Sequence, residues 1–285
     1  IIPKLKQYDL IFVHGSNSAM LLGAIKRVFR IKMPPILDVD ISSFHQASTS
    51  GLIHRLAQFS SKAFDYMVYH TSSQIDYYKV QFPWLVNKCA FIPLGVDYNY
   101  WKAKKYPILS TKCSYIVCVG YRKRDWNTLL EAFEKSSIQE ELYLIGNPDI
   151  KCTNPKVKVL PFISINELMT YITNAKFSVI PLDDFNYSFA QLTLLQQMAL
   201  GVPILAANVP AIRDYAKYSK GVTSYKPYDA EDLKTKLQTV SKLETSDLLK
   251  MGQSNIDCIR TSLSELQMAR KFETICKALC KKGKK

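Results

Sequence analysis

Short apolar runs alternate with helical patterns along almost the whole chain, and this alternation admits few folds. Strands are expected over 9–14, 35–41, 66–70 and 90–97, with helices over 18–30, 51–63 and 73–81 between them. Residues 98–112, with Lys102, Lys104, Lys105 and Pro107, show little periodicity and read as a linker. The alternation then resumes, with strands over 114–120, 142–146, 157–160, 177–181 and 203–207. Helices fall over 126–135, 165–174, 190–200, 210–217 and 229–240, and a last amphipathic helix over roughly 255–281. Continuous apolar strands separated by helices imply a parallel sheet covered on both faces. Two such blocks in succession imply two Rossmann-like layers, and ligands of open parallel sheets bind at the carboxyl ends of the strands.

The 285 residues suffice for two domains with buried cores. No apolar run is long enough to cross a membrane, and the opening Ile1-Ile2-Pro3-Lys4 meets charges at once, which argues against a signal peptide. Seven scattered cysteines without a Cys-x-x-Cys pair point to free thiols in a reducing cytoplasm rather than to zinc or a disulfide framework. The net charge of +14 is shared: residues 1–110 hold 13 Lys/Arg against 6 Asp/Glu, and residues 111–285 hold 25 against 18, so each half is +7. Such a field favours anionic partners, nucleotides or an anionic membrane surface among them. The tail Lys277, Lys281, Lys282, Lys284, Lys285 is the sharpest cluster. No nucleic-acid module is present, and no Gly-x-Gly-x-x-Gly supports dinucleotide chemistry. The four histidines lack metal-ligand spacing and form no triad pattern.

Chemistry concentrates in the second block. Residues 188–204 read as a polar loop, one helix, and Gly201-Val202-Pro203 leading into a strand. A loop and first helical turn of this kind offer backbone N–H groups to phosphate oxygens. Gly201 suits the end of the helix and Pro203 prevents its continuation. Upstream, Gly120 follows a strand and Arg122-Lys123-Arg124 precede a helix, so three adjacent cations sit where a diphosphate could be neutralised. Phe162, after the strand at 157–160, is either a stacking face or a core ring.

In order and spacing these segments resemble the retaining glycosyltransferases of family 4, which have the GT-B fold. The resemblance spans roughly residues 8–275, with its specific motifs in 114–215. It implies an α/β protein of two Rossmann-like domains whose parallel sheets face across a cleft. The expected boundaries are 1–105 for a shortened acceptor-side domain, 106–262 for the nucleotide-sugar domain, and 263–285 for a C-terminal helix and basic tail. It further implies transfer of a sugar from a nucleoside-diphosphate sugar with retention, and with no metal or other cofactor. Donor-binding residues would be Gly120, Arg122, Arg124, Phe162, Ser188, Gln191, Leu192, Thr193 and Gln196.

Two departures stand out. Most of the family carries Glu-x7-Glu where this chain has Ser188 and Gln196. A glutamine amide can still serve a ribose diol, but Ser188 brings no negative charge to the sugar. Family members also begin with a further strand–loop–helix and βα unit before the strand at 9–14, so the first domain reads as incomplete. In the first block, Ser72-Ser73-Gln74 and Ile92-Pro93-Leu94-Gly95-Val96-Asp97 follow the family's order. The acid–base candidates are Asp40, His45 and His54, with Arg124 supporting the leaving group and His14 a lining residue.

The expected partners are a nucleotide sugar, an acceptor glycan or lipid-linked sugar, an anionic membrane surface and a completing subunit. The expected location is cytoplasmic, peripheral at the inner membrane face. The alternatives are a non-catalytic nucleotide-sugar-binding subunit, a sugar-nucleotide epimerase of the same fold, and a basic membrane- or polyanion-binding α/β protein.

Overall fold

The computed structural model describes residues 2–41, 44, 49–102, 114–146 and 150–283. Two compact units emerge. The first gathers the chain up to Leu94, the short segment Asn186–Ser188, and the residues from Leu266 onward. The second takes Gly95–Phe185 and Phe189–Glu265.

After a 3-10 turn over Ile2–Gln7, the first unit runs β1 (Ile11–His14), α1 (Ser16–Val28), β2 (Ile36–Asp40), α2 (Leu52–Ser61), β3 (Tyr66–Tyr69) and α3 (Gln74–Gln81). A 3-10 stretch over Pro83–Lys88 then leads to β4 (Cys89–Phe91). The four strands pair in parallel in chain order, with Ile11 opposite Ile36, Leu37 opposite Tyr66 and Met67 opposite Cys89. All five β2 residues are buried, as a strand covered on both faces requires. Successive side chains alternate between those faces. Ile36 joins Phe44, Phe64, Met67, Tyr78 and Phe82 in one cluster, while Leu37, Val39 and Val68 join another with Ile92.

The second unit opens with α4 (Tyr98–Trp101) and continues with β5 (Tyr115–Val119), α5 (Trp126–Ser136), β6 (Glu141–Ile145), β7 (Val157–Leu160) and α6 (Ile165–Asn174). It goes on through β8 (Ser178–Ile180), α7 (Gln191–Ala199), β9 (Ile204–Ala207), α8 (Pro210–Ala216), β10 (Val222–Tyr225), α9 (Ala230–Ser241) and α10 (Thr245–Thr261). All six strands are parallel, in the order β7-β6-β5-β8-β9-β10. Counted within the unit this is 3-2-1-4-5-6, the doubly wound order, which reverses direction between β5 and β8.

Several helix starts carry the caps their sequences call for. Ser164 and Glu167 form a reciprocal capping box on α6, and Asp97, Asp125 and Asp229 accept backbone N–H groups at the starts of α4, α5 and α9. The expected final helix over 255–281 is instead two helices, α10 and α11 (Glu265–Gly283). The break has a backbone cause: Val96 donates to the Leu263 carbonyl, and Glu265 donates to that of Val96. α11 then lays Met268, Phe272, Ile275 and Leu279 on the Leu37–Val39–Val68 face of the first unit. The strand expected over 90–97 is confined to Cys89–Phe91, and the stretch read as linker opens with α4. The edge strand β10 has no counterpart in the sequence reading, because Val222-Thr223-Ser224-Tyr225 is too polar to stand out.

Candidate functional site

In the second unit the strand order reverses between β5 and β8, and the chains leaving these two strands are tied together. Asp125 donates its backbone N–H to the Pro181 carbonyl, and Asp183 donates to that of Lys123. The cationic turn is thereby fixed to the exit of β8. It is built on two left-handed residues, Gly120 at φ 115° and Lys123 at φ 53°.

Gly120 is required by what lies against it. A Cβ there would fall 2.3 Å from Nη2 of Arg124. The Arg124 side chain folds back over this gap and donates to backbone carbonyls, from Nε and Nη2 to Val119 (3.3 and 2.9 Å) and from Nη1 to Arg122 (3.0 Å). Only 8% of Arg124 is exposed, and burial pulls its guanidinium below its ordinary value. Three of its five N–H groups hold the loop, and two remain. Arg122 is exposed and rests over the Tyr121 ring, 5.2 Å from its centroid, while Lys123 caps the Phe185 ring at 5.1 Å. Beneath the loop the Cys118 thiol is pushed up to about 12 by burial, against the pull of Arg124, so it is an inert core residue.

Phe162 is resolved in favour of exposure. Two-thirds of it (67%) is open to solvent, its ring meets that of Tyr121 edge-on at 5.1 Å, and it stands 3.4 Å from where a Cβ of Gly146 would be. Gly120, Gly146 and Phe162 follow β5, β6 and β7, so this pair of rings lies at the carboxyl edge of the sheet. Tyr121 escaped the sequence reading; its only signal was its place directly after Gly120. Tyr228 escaped as well: it is exposed at φ 59°, and its hydroxyl accepts the Asp184 N–H at 2.8 Å.

The helix that follows β8 is equally built for this edge. Ala190 enters α7 in a left-handed conformation (φ 63°) and no side chain caps the first turn. Leu192 is exposed and Thr193 and Gln196 half-buried, whereas Gln191 is buried. At the other end Gly201 (φ 75°) completes a Schellman motif: its N–H reaches the Met198 carbonyl and that of Val202 the Gln197 carbonyl. The Gly201 carbonyl also lies where a Cβ of Gly252 on α10 would be, so α7 and α10 approach closely enough to fix the helix.

The remaining sequence candidates belong to the first unit. Ser188, with Asn186 and Tyr187, packs there: its hydroxyl hydrogen-bonds Thr71 Oγ1 and Gln74 Oε1, both at 3.1 Å. Asn186 bonds Ser73, and the Tyr187 hydroxyl donates to the Ile41 carbonyl. Asp40 ends β2, fully buried, and accepts from the Tyr78 hydroxyl at 2.5 Å and the Phe44 N–H at 3.4 Å. Burial first, and then Asp40, push the Tyr78 hydroxyl well above its ordinary range. His54 is a core ring set edge-on against Phe82. His14 ends β1 exposed, whereas His70 follows β3 buried, its Nδ1 2.7 Å from the Ile92 carbonyl. Burial, and secondarily His14, hold His70 below its ordinary value although the Ile92 carbonyl acts the other way. His45 lies outside the described residues. Among the described residues, no group of three or more His, Cys, Asp or Glu side chains could hold a metal ion, and no helix is long and apolar enough to cross a membrane.

Residues 113–242 match the sequence model of the family described as Glycosyl transferases group 1. No curated protein sequence matches the chain. Among solved structures, Anabaena HepE in complex with UDP superposes with a TM-score of 0.80 at 14% identity, over 97% of this chain and 80% of that one. Sucrose-phosphate synthase from Thermosynechococcus elongatus gives 0.74 at 17% identity, over 96% and 74%. A UDP-forming α,α-trehalose-phosphate synthase from Burkholderia xenovorans gives 0.73 at 13%, over 95% and 74%. At these identities the likeness is one of fold: the chain has the α/β fold with two parallel sheets of the GT-B glycosyltransferase structures.

Proposed function

We propose that the protein transfers a sugar from a nucleoside-diphosphate sugar to an acceptor, the second unit holding the donor. One observation carries this reading. The cationic Gly120–Arg124 turn is tied to the exit of β8 where the strand order reverses, within the residues that match the glycosyltransferase family model. Exposed Arg122 would meet the phosphate oxygens, and buried Arg124 would shape the turn and direct its two remaining N–H groups at them. The uncapped first turn of α7 would add the amides of Leu192 and Thr193. Donors fixed in advance where charge grows on a departing diphosphate stabilise the transition state without reorganising. Tyr121 and Phe162 offer ring faces to a base, and the Gln196 amide suits a ribose diol. The resemblance to family 4 supports retention at the anomeric carbon, a reaction without a bound metal, and a glycan or lipid-linked acceptor. The HepE complexes with UDP and UDP-glucose make uridine nucleotides the first donors to try.

The test is a thermal-shift screen of the full chain against UDP, GDP, ADP and CMP and their sugars. A ligand at 100 times its dissociation constant adds about 2.7 kcal/mol of stability. One base should stand out, and Arg122→Ala should weaken it roughly ten- to a hundredfold, the worth of a charge-assisted hydrogen bond. A folded sample that no nucleotide shifts would overturn the reading. A second reading, nucleotide binding without turnover, is favoured by Ser188, which stands where the family's carboxylate would be and is bonded to Thr71 and Gln74. It predicts the same shift with neither sugar transfer nor donor hydrolysis.

A further inference from the structure

We infer that the outer face of α1 and α2 in the first unit is a docking surface for an anionic lipid bilayer. The two helices pack side by side, and Gly23 of α1 lets the Ser60 carbonyl of α2 come within 2.4 Å of where a Cβ would be. What they turn outward is apolar. On α2, Leu52, Ile53, Leu56 and Phe59 are 84%, 70%, 49% and 38% exposed, while His54, Ala57 and Ser61 face inward. Leu52, Leu56 and Phe59 recur at i, i+4 and i+7, so they form one stripe opposite the buried face. On α1, Leu21 and Val28 share the same spacing of seven and are more than 60% exposed. Large side chains singly exposed are ordinary; four within eight residues of one helix, beside two more on its neighbour, are not.

Charge selects the occupant. Neither α1 nor α2 contains an acidic residue, and between Leu10 and Phe64 the only carboxylates, Asp38 and Asp40, are buried. Arg27, Arg30, Lys32, Arg55 and Lys62 are all exposed around the panel. Arg27 and Lys62 lie over the rings of Phe59 and Trp84, so their charge stays close to the apolar surface. A panel of Leu, Ile and Phe fringed by exposed Arg and Lys, the nearest part-exposed carboxylate, Asp65, being neutralised by Lys26 of α1 at 3.1 Å, matches a surface that is apolar below and anionic above. This inference does not rest on the transferase reading.

The test is co-sedimentation of the full chain with vesicles of phosphatidylcholine alone and of phosphatidylcholine with phosphatidylglycerol. Binding is expected to the anionic vesicles, and each basic residue near the surface is worth about fivefold in attachment. Leu52→Glu with Leu56→Glu should lower it by more than about tenfold. Arg55→Ala with Lys62→Ala should lower it to a degree that shrinks at high salt. An unchanged melting profile of these variants separates loss of docking from loss of folding. Wild-type protein that ignores anionic vesicles overturns the inference. So does binding that survives the double glutamate variant. Self-association abolished by Leu56→Glu, without vesicle binding, would also overturn it and assign the panel to a second copy of the chain.

Discussion

Arg124 and Gly120 are one device. The guanidinium can lie along the Val119 and Arg122 carbonyls only because Gly120 has no Cβ in its path. The sequence showed both residues at a strand end and suggested a diphosphate for the arginines. It could not show that Arg124 turns back on its own loop while Arg122 faces outward, because that choice depends on a void left by a neighbour. Gly120→Ala must place a Cβ at φ 115° and against a pinned side chain, so a cost of about 1–3 kcal/mol is expected. Much of that clash vanishes when the guanidinium is absent. In an Arg124→Ala background the same glycine substitution should therefore cost less, with a coupling of about 1 kcal/mol between the sites. Urea unfolding of the two single variants and the double variant measures it, and strict additivity would refute the pairing.

At the scale of elements, periodicity and end signals carried the reading far. The Gly201 terminus falls where helix chemistry placed it, and the helices expected from 126 and 165 begin there, one residue after the Asp125 cap and the Ser164 capping box. What failed was the continuous last helix, since its break is made by the distant Val96 backbone, which no local pattern announces. Another distant connection joins three elements through one carboxylate. Glu140, just before β6, accepts from Lys176 Nζ at 2.7 Å and from Ser241 Oγ at 2.6 Å, and Lys176 also donates to the Ser241 carbonyl. Burial alone would raise the pKa of Glu140, but these hydrogen bonds outweigh it and hold the carboxyl below its ordinary 4.5. A carboxylate held low in the folded state contributes stability that is complete above the unfolded value and fades as pH falls through the lower folded one. Glu140→Gln should thus cost about 1–3 kcal/mol at pH 7. The gap from wild type should stay constant down to about pH 5 and narrow below 4.5. Denaturation midpoints across pH 3–8 read it out, and a gap that widens in acid would contradict the sign.

For the whole molecule, the α/β class was legible from the alternation, whereas strand order was not. Which strand lies beside β5 is settled by tertiary pairing, and only that pairing reveals the reversal on which the site stands. Nor could the sequence show that α11 completes the first unit. Apolar residues at helical spacing say that a helix has a buried face, not which sheet covers it. Its role makes a last prediction. Leu279 is 6% exposed among Leu37, Val39, Val68 and Ile92, so Leu279→Ala should cost about 2–4 kcal/mol, whereas exposed Leu266→Ala should change stability by no more than about 0.5 kcal/mol. The loss should also be local. Because each unit has its own core, hydrogen exchange in the Leu279 variant should speed up across β1–β4 and stay near wild type across β5–β10. If the second unit holds the donor as proposed, the nucleotide-dependent thermal shift should persist. Equal loss of protection in both sheets would mean that the two units unfold as a single cooperative body and that α11 stabilises all of it.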